Sequence, residues 1–318
     1  MNYPDMKELG GYFELELKEG HCYHLNALAL NSARNCFRYI LRAQRPNKVY
    51  LPAYCCDSLI EPLLSENIAY EFYHINESFE LTALPLLKRD ERLLYINSFA
   101  LKSKYIKFLH FTYGDNLIVD NTQAFFEKPL DDVDTFYSAR KFFGVADGGY
   151  LYTRNFLVEE LEFDQSIERF SQLIGRYEKS ASCYYSEYQQ SEKTLINQPI
   201  KLMSRITQGI LKSLDYEKIA LIRQRNFWVL HTFLKKSNKL KFIEVGDFVP
   251  MVYPYKSNDL MLRERLIKNR VYVAKYWADA EIRTTEHERK MIEKIICLPI
   301  DQRVDIPGIN KLLGVVNG

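Results

Sequence analysis

The sequence has little that would point to nucleic acid, a membrane or a metal ion. Its 318 residues carry a formal net charge of +2, without a long run of Lys or Arg. No apolar run reaches the length needed to span a bilayer. The six histidines are scattered and the six cysteines lack CxxC spacing, so a metal-ligand motif is missing. We therefore expect no nucleic-acid partner, no membrane contact and no metal.

Two common catalytic motifs are missing as well. No GxGxxG follows an early strand, which argues against a dinucleotide-binding Rossmann protein, and the GxSxG elbow of hydrolases is absent. Residues 1–10 carry charges and a proline where a secretory signal would have an apolar centre. Most cysteines lie inside apolar segments. These features favour a reduced, cytoplasmic location.

What remains is an ordinary globular composition, 47% hydrophobic and 26% charged, in a chain long enough for a large core. Short apolar runs alternate with amphipathic stretches in the first half, the pattern of an α/β protein. The strands predicted there are residues 48–51, 70–75, 92–99, 117–120, 133–138 and 149–153. The helices predicted between them are residues 32–45, 57–67 and 102–111.

The second half changes character twice. Residues 155–236 are polar and predict long helices, interrupted by a loop near residues 197–199. A second α/β section begins near Phe248. It is predicted to contain strands at residues 249–253, 271–274 and near 295–298, and a helix at 258–269. The pattern predicts a large domain over residues 1–236 and a small C-terminal domain over 237–318.

Three segments carry candidate chemistry, and the first opens a helix. Asn31 and Ser32 precede the amphipathic run of residues 36–41. Free backbone N–H groups at such a start suit a phosphate, and Arg34 can add a charged contact. Taken alone, an ordinary helix cap from Asn31 or Ser32 is the simpler interpretation.

The second and third segments follow strands. Asp120 ends the run LIVD, where a carboxylate can keep a pyridine nitrogen protonated, with Gln123 turned toward an oxygen on the same ring. On this segment alone, an Asp that caps the next turn is the simpler interpretation. Lys141 lies between a strand and the pair Gly148-Gly149, among aromatic residues. Apolar surroundings would disfavour the charged form of its amine and make it a nucleophile, although on this segment alone a surface lysine with a buried stem is the simpler interpretation.

In this order and spacing, the three segments resemble the DegT/StrS family of sugar-nucleotide aminotransferases, a branch of the fold-type I enzymes that use pyridoxal phosphate. The family has a small-residue turn that opens a helix, then Asp-x-x-His/Gln after a strand, then the Schiff-base lysine ahead of Gly-Gly. The resemblance covers most of the chain and is strongest from about residue 117 to residue 153. It implies the fold-type I architecture: an α/β large domain with a mainly parallel mixed sheet, which binds the cofactor, plus a small C-terminal α/β domain.

The resemblance also implies roles for individual residues. Lys141 would bind the cofactor covalently and move a proton during catalysis, and Asp120 would pair with the ring nitrogen. The loop of residues 52–56 would supply the group that covers the ring, and either Tyr54 or Cys56 can be that group. Phe136 replaces the serine that the family commonly has five residues before the lysine, and Ser138 is a candidate substitute. The residues assigned to the cofactor are Ser32, Ala33, Arg34, Asn35, Tyr54, Cys56, Asp120, Gln123, Ser138 and Lys141.

By the same resemblance, the protein is expected to transfer an amino group from glutamate to a keto-sugar nucleotide in glycan or polysaccharide biosynthesis. A homodimer with shared active sites is implied, with residues 197–207 reaching the neighbouring site. A family histidine that approaches the sugar is not evident, and Tyr276 and Trp277 occupy that part of the chain. The alternative is a relative without catalytic activity that serves as a binding or regulatory module.

Overall fold

The computed structural model describes residues 9–240 and 246–318, so most of the N-terminal segment considered for a signal lies outside the described residues. Seven strands form the large sheet in the order β1-β7-β6-β5-β4-β2-β3. Strands β2 to β6 pair in parallel, whereas β7 is antiparallel to both of its neighbours. The mainly parallel mixed sheet is thus confirmed. The strands are β1 (Leu28–Leu30), β2 (Lys48–Pro52), β3 (Ala69–Tyr73), β4 (Glu91–Ile96), β5 (Leu117–Asp120), β6 (Asp134–Ser138) and β7 (Gly149–Tyr152).

Helices cover both faces of this sheet, and further helices follow in the polar part of the chain after β7. Ser32 caps the first helix, and Arg45 in a left-handed conformation ends it. The predicted interruption near residue 197 is confirmed, because Asn197 has a φ of 55° between two helices. The helices are α1 (Ala33–Gln44), α2 (Ile60–Ser65), α3 (Ser103–Tyr113), α4 (Ser171–Glu178), α5 (Tyr185–Lys193), α6 (Arg205–Lys212) and α7 (Tyr216–Leu234).

Alternation along the central strand divides the core into two layers. Leu117 and Val119 on β5 pack with Leu109 of α3, whereas Ile118 packs with Phe37 of α1 on the opposite face. All four residues of β5 are buried, as the apolar run predicted. The sheet is therefore covered on both faces, and its carboxyl edge is where loops and side chains can meet a ligand.

The small C-terminal unit contains a two-stranded antiparallel sheet of β8 (Val252–Lys256) and β9 (Ile295–Pro299). Its helices are α8 (Leu262–Lys268), α9 (Glu286–Lys294) and α10 (Ile306–Asn317). Phe227, Leu230 and Leu234 of α7 share the core of this unit. The helix therefore belongs to both parts, and the division at residues 236 and 237 stays a prediction.

Two predictions in this unit differ from the structure. The strand expected at residues 249–253 begins three residues later, and the strand expected at 271–274 is not formed. Val271 packs into the core, but Tyr272 is half exposed, and the Val273 carbonyl accepts an N–H from Arg263 at 3.1 Å instead of joining a strand. Within the described residues, no helix combines the length and apolarity needed to cross a membrane.

Candidate active site

Three parallel strands end together at the carboxyl edge of the large sheet. In the ladder, Ile96 at the end of β4 lies beside Asp120, and Asp120 lies beside Phe136 of β6. Ser138 ends β6 two residues later. Ligands of open α/β sheets bind at this edge, so the acid predicted from the LIVD run has a suitable position.

Asp120 is buried at this edge with little compensation for its charge. Its Oδ1 accepts the Thr122 N–H at 2.8 Å. Burial raises the pKa of Asp120 to about 6, while the hydrogen bonds from Thr122 and the positive charge of Lys141 act in the opposite direction. Among the described residues, Thr122 is the only hydrogen-bond donor to this carboxylate.

Lys141 faces the same region as Asp120, since its charge lowers the pKa of that acid. Lys141 ends the short helical turn Ala139–Lys141 after β6, and its side chain is exposed. Its Nζ lies 6.0 Å from the centre of the Tyr276 ring and 5.8 Å from that of Trp277. In the part of the chain that the structure describes, no carboxylate forms an ion pair with this amine. The amine and the acid are thus electrostatically coupled, and the rings beside the amine come from the C-terminal unit.

Helix α7 and the small domain hold the backbone next to this lysine. The Phe142 carbonyl accepts hydrogen bonds from Arg223 at 3.2 Å and from Gln302 at 2.9 Å. Arg223 is buried, its guanidinium lies 4.5 Å from the centre of the Phe142 ring, and it also donates to the Met251 carbonyl at 3.0 Å. Burial lowers the pKa of Arg223 to about 10. A buried cation bonded to carbonyl groups is a rigid support for the lysine loop.

The start of α1 lies against β7, beside the lysine loop. Ser32 Oγ accepts the Asn35 N–H at 3.1 Å, while the N–H groups of Ala33 and Arg34 have no acceptor within residues 9–240 and 246–318. A Cβ on Gly149 would lie 2.6 Å from the carbonyl carbon of Ser32 and 2.7 Å from the nitrogen of Ala33. Only glycine permits β7 to approach the start of α1 this closely. The two N–H groups of Ala33 and Arg34 are free because they belong to the first turn of the helix, and a bound phosphate would require such donors.

The Arg34 and Asn35 side chains, in contrast, are engaged elsewhere. Arg34 Nη1 contacts Glu61 at 2.9 Å and the Leu195 carbonyl at 2.6 Å. Asn35 Nδ2 donates to Asn31 and to the Pro199 carbonyl, both at 2.8 Å. In this turn, therefore, the backbone is available to a ligand, while these two side chains fasten α1 to neighbouring segments.

Gln123 and Ser138 lie at the same edge of the sheet and differ in how many of their side-chain polar atoms are hydrogen-bonded. Gln123 Oε1 accepts the Phe99 N–H at 2.9 Å, in a turn where Phe99 has a φ of 60°. Gln123 thus supports the turn after β4, and its amide nitrogen has no acceptor among the described residues. The Ser138 hydroxyl likewise has no partner there.

Tyr54 and Cys56, the two candidates for covering a ring, occupy the loop opposite the small domain. Tyr54 is buried and donates its hydroxyl proton to the Tyr276 carbonyl at 2.6 Å. Cys56 is partly exposed and precedes the helical turn Asp57–Leu59. The structure shows Tyr54 fixing the backbone of Tyr276, whose ring is one of the two nearest the lysine amine.

The segment expected to reach a neighbouring subunit packs against its own chain. The Asn31 N–H donates to the Lys201 carbonyl at 2.9 Å, and the Met203 N–H donates to the Ala29 carbonyl at 3.0 Å. The Ser204 and Thr207 hydroxyls donate to the buried carboxylate of Asp147. These bonds hold residues 197–207 beside α1, and their contact with a second subunit stays a prediction.

Solved structures of sugar aminotransferases share this arrangement of strands and helices over most of their length. PseC of Helicobacter pylori, an aminotransferase involved in the biosynthesis of pseudoaminic acid, has a TM-score of 0.65 at 12% identity, covering 92% of this chain and 85% of PseC. A DegT DnrJ EryC1 StrS aminotransferase from Brucella abortus has a TM-score of 0.61 at 13% identity, over 92% and 85% of the two chains. The chain has the fold of these aminotransferases.

A third structure with this aminotransferase fold, NtdA of Bacillus subtilis, contains the cofactor PMP. Its TM-score is 0.63 at 15% identity, covering 92% of this chain and 73% of NtdA. The resemblance stated from the sequence is therefore confirmed for the fold. A comparison with protein families finds no match for the sequence, and neither does a comparison with curated proteins.

Within this aminotransferase fold, two structural contributions could not be assigned from the sequence. In the sequence, Tyr276 and Trp277 stand only in the place of a family histidine, and two adjacent aromatic residues are the available signal. Arg223 gave no signal, because an arginine in an amphipathic helix ordinarily faces solvent. Each acts on the site through contacts between distant parts of the chain.

Proposed function

We propose that the protein is a pyridoxal-phosphate-dependent aminotransferase that transfers an amino group, with glutamate as donor, to a keto-sugar nucleotide in glycan or polysaccharide biosynthesis. The observation that carries the proposal is the pairing of Lys141, an amine without an ion pair among the described residues, with the buried acid Asp120, close enough for the charge of one to lower the pKa of the other. Both lie at the edge of the sheet where this fold class binds ligands.

The residues present fit this cofactor in three respects. The free N–H groups of Ala33 and Arg34, with the hydroxyls of Ser32 and Ser138 nearby in the fold, form a donor set for a phosphate. Asp120 needs a positive or N–H partner, which a pyridine ring nitrogen would provide. The Lys141 amine is not occupied by a carboxylate in the described chain.

Bound there, pyridoxal phosphate would supply an aldehyde that condenses with amines and a ring that accepts electrons from the reacting carbon. Asp120 would hold a proton on the ring nitrogen, because a nearby cation stabilises the buried carboxylate. Lys141 would bind the aldehyde and then, once released, carry a proton between the two carbon atoms on either side of the transferred nitrogen. Gln123, whose oxygen is engaged by Phe99, has its amide N–H groups left for the hydroxyl side of the ring.

The likeness to sugar aminotransferases supports a sugar acceptor, and the family resemblance of the motifs supports glutamate as donor. The six unpaired cysteines are compatible with the cytoplasmic location that we propose. A disulfide found in protein isolated from its own cells would argue against that location.

Covalent attachment to Lys141 is the most direct test of the proposed function. Borohydride reduction after incubation with pyridoxal phosphate should add the phosphopyridoxyl mass to the peptide that contains Lys141. The Lys141→Ala variant should lose both this mass and the visible absorbance, whereas Lys107→Ala, which removes an exposed lysine of α3, should retain both. Label on another lysine, or a wild-type protein that stays colourless, would contradict the proposal and favour the non-catalytic binding module.

We propose in addition that the protein is a homodimer whose sites are completed by the partner subunit. Helices α4 and α5 support this, because they expose large apolar side chains: Ile174 is 58% exposed, Tyr177 91% and Tyr185 58%. Light scattering at micromolar concentration should give twice the mass of the chain. A monomer with a full complement of cofactor would show the proposal to be wrong.

A further inference from the structure

The two rings beside Lys141 belong to a segment that the small domain contributes to the site. Tyr276 and Trp277 follow residues 271–275, which lie outside the small sheet, and their rings are 4.4 Å apart between centres. Both are partly exposed. The Tyr276 ring also lies 6.4 Å from that of Phe99. The pair therefore forms an aromatic surface that a molecule entering from solvent can reach.

Bonds that do not involve the two rings hold this segment in place. The Tyr54 hydroxyl binds the Tyr276 backbone carbonyl at 2.6 Å, and the Asp57 N–H donates to Asp279 at 2.8 Å. Arg283 donates to the Ala53 carbonyl at 3.0 Å and to Asp57 at 2.7 Å. Because these bonds join backbone atoms and other side chains, the rings can be removed without releasing the segment.

The position of the pair indicates what it contacts. The groups that suit the cofactor, namely Lys141, Asp120 and the start of α1, are all carried by the large sheet and its loops. The carbon that receives nitrogen must come within bonding distance of the position that the Lys141 amine defines. The ring that contains this carbon will therefore meet surfaces within about 6 Å of the amine, whereas a nucleobase beyond a diphosphate will lie farther away.

We propose that Tyr276 and Trp277 form the surface that binds the sugar ring of the acceptor and thereby determine which sugars are aminated. The inference rests on the proposed function. Aromatic faces bury the apolar C–H face of a sugar well, and tyrosine and tryptophan also keep a polar atom for its hydroxyl groups. A surface of two such rings favours flat, unbranched faces and disfavours axial substituents on that side.

Tryptophan fluorescence can test this, because the chain contains only Trp228 and Trp277. Trp228 lies on α7 against Phe227 and Phe248, so Trp228→Phe leaves Trp277 as the single reporter. The cofactor-loaded Trp228→Phe protein would be titrated with glucose linked to UDP, dTDP and GDP, and with each nucleotide alone. At least one sugar nucleotide should change the emission saturably, while the matching free nucleotide should not.

Binding by the substituted proteins supplies the second measurement. Tyr276→Ala and Trp277→Ala should each weaken sugar-nucleotide binding in equilibrium dialysis by about tenfold. Their cofactor absorbance and cofactor affinity should remain within about twofold of wild type, a margin well below a tenfold change. Tyr272→Ala, which removes a half-exposed ring from the same segment, is the matched control and should leave all three unchanged. Thermal melting of each variant would report any loss of folding.

Three results would overturn the inference. Trp277 could respond to no sugar nucleotide, it could respond equally to the free nucleotides, or loss of either ring could weaken the cofactor itself, which would make the pair a cover for the cofactor. Bleaching of the wild-type visible absorbance by glutamate tests the proposed function separately. Bleaching together with a silent Trp277 would refute the inference alone, whereas absence of bleaching would refute the proposed function.

Discussion

Burial of Asp120 should make the cofactor-free protein less stable once this carboxylate ionises. Its pKa rises from 3.8 to about 6 in the folded chain, chiefly because burial removes solvent from the charge. Each pKa unit corresponds to about 1.36 kcal/mol, so ionisation of this group costs the folded state about 3 kcal/mol relative to the unfolded state. The folded chain binds more protons than the unfolded chain between about pH 4 and pH 6. The contribution of Asp120 to the free energy of unfolding is therefore largest below that window and falls as the pH rises through it.

The substitution Asp120→Asn removes this ionisation and should remove the pH dependence that it causes. Urea unfolding of cofactor-free wild type and variant would be compared at pH 4 and pH 7. The difference between them should shift by about 2 kcal/mol in favour of the variant between pH 4 and pH 7, whatever its sign at pH 4. Asp131→Asn, which changes an exposed aspartate in the loop before β6, serves as the control and should shift by much less.

Addition of pyridoxal phosphate should reverse the comparison at pH 7. A protonated ring nitrogen beside Asp120 would stabilise its carboxylate, so the cofactor should stabilise wild type more than Asp120→Asn. Parallel pH curves for the two cofactor-free proteins would refute the reasoning, because they would mean that the Asp120 carboxylate is solvated. Its role as a buried partner of the ring would then have no physical basis.

Two further substitutions test the supports around the site. Gly149→Ala places a methyl group 2.6 Å from the Ser32 carbonyl carbon, so the start of α1 must move; we expect a loss of about 1–3 kcal/mol in unfolding free energy and weaker cofactor binding. Gly144→Ala, with no atom within 4 Å of the new methyl, should change neither, and equal effects of the two would contradict the close approach. Arg223→Met leaves the Phe142 carbonyl short of a donor, and we expect about 1–3 kcal/mol of destabilisation together with a shifted pH titration of the bound cofactor's absorbance. Arg223→Lys should recover part of the lost stability and part of the shift in the titration. An unchanged titration in Arg223→Met would mean that Arg223 has a purely structural role.

Most of the large sheet could be predicted from the sequence because its strands are buried on both faces. The run over β5 was predicted to the residue, and the bounds of β6 and β7 differ by one residue each. The pattern failed at residues 271–274, where alternation between Val271 and Val273 resembles a strand. An extended segment becomes a strand only if a neighbouring strand pairs with its backbone N–H and C=O groups. Here the Val273 carbonyl instead accepts a hydrogen bond from the Arg263 side chain.

The candidate site could be predicted only where it is local in sequence. Lys141 and Asp120 were found because each follows a strand and because the order of the segments resembles a known family. The side chains of Arg34 and Asn35 could not be placed, since their partners Glu61 and Pro199 are distant in the sequence. Nothing near Lys141 in the sequence indicates that Tyr276 will lie beside its amine.

The two buried charges near the lysine loop show how stability and function divide in this chain. Arg223 is buried without an ion-pair partner in the described chain, yet three carbonyl groups accept its hydrogen bonds, which makes its neighbourhood rigid. Asp120 is equally buried but has only Thr122 as a bonded partner, so the cost of its charge is only partly offset within the described chain. A core selected for stability alone would replace such an acid, because burying an unpaired charge is expensive. An acid at this position is explained if a positively charged ligand pairs with its carboxylate. That ligand would be bound more tightly, because the carboxylate has no cation of the described chain paired with it. On this reasoning, the least stable feature of the unliganded site is also the one that most favours its occupation.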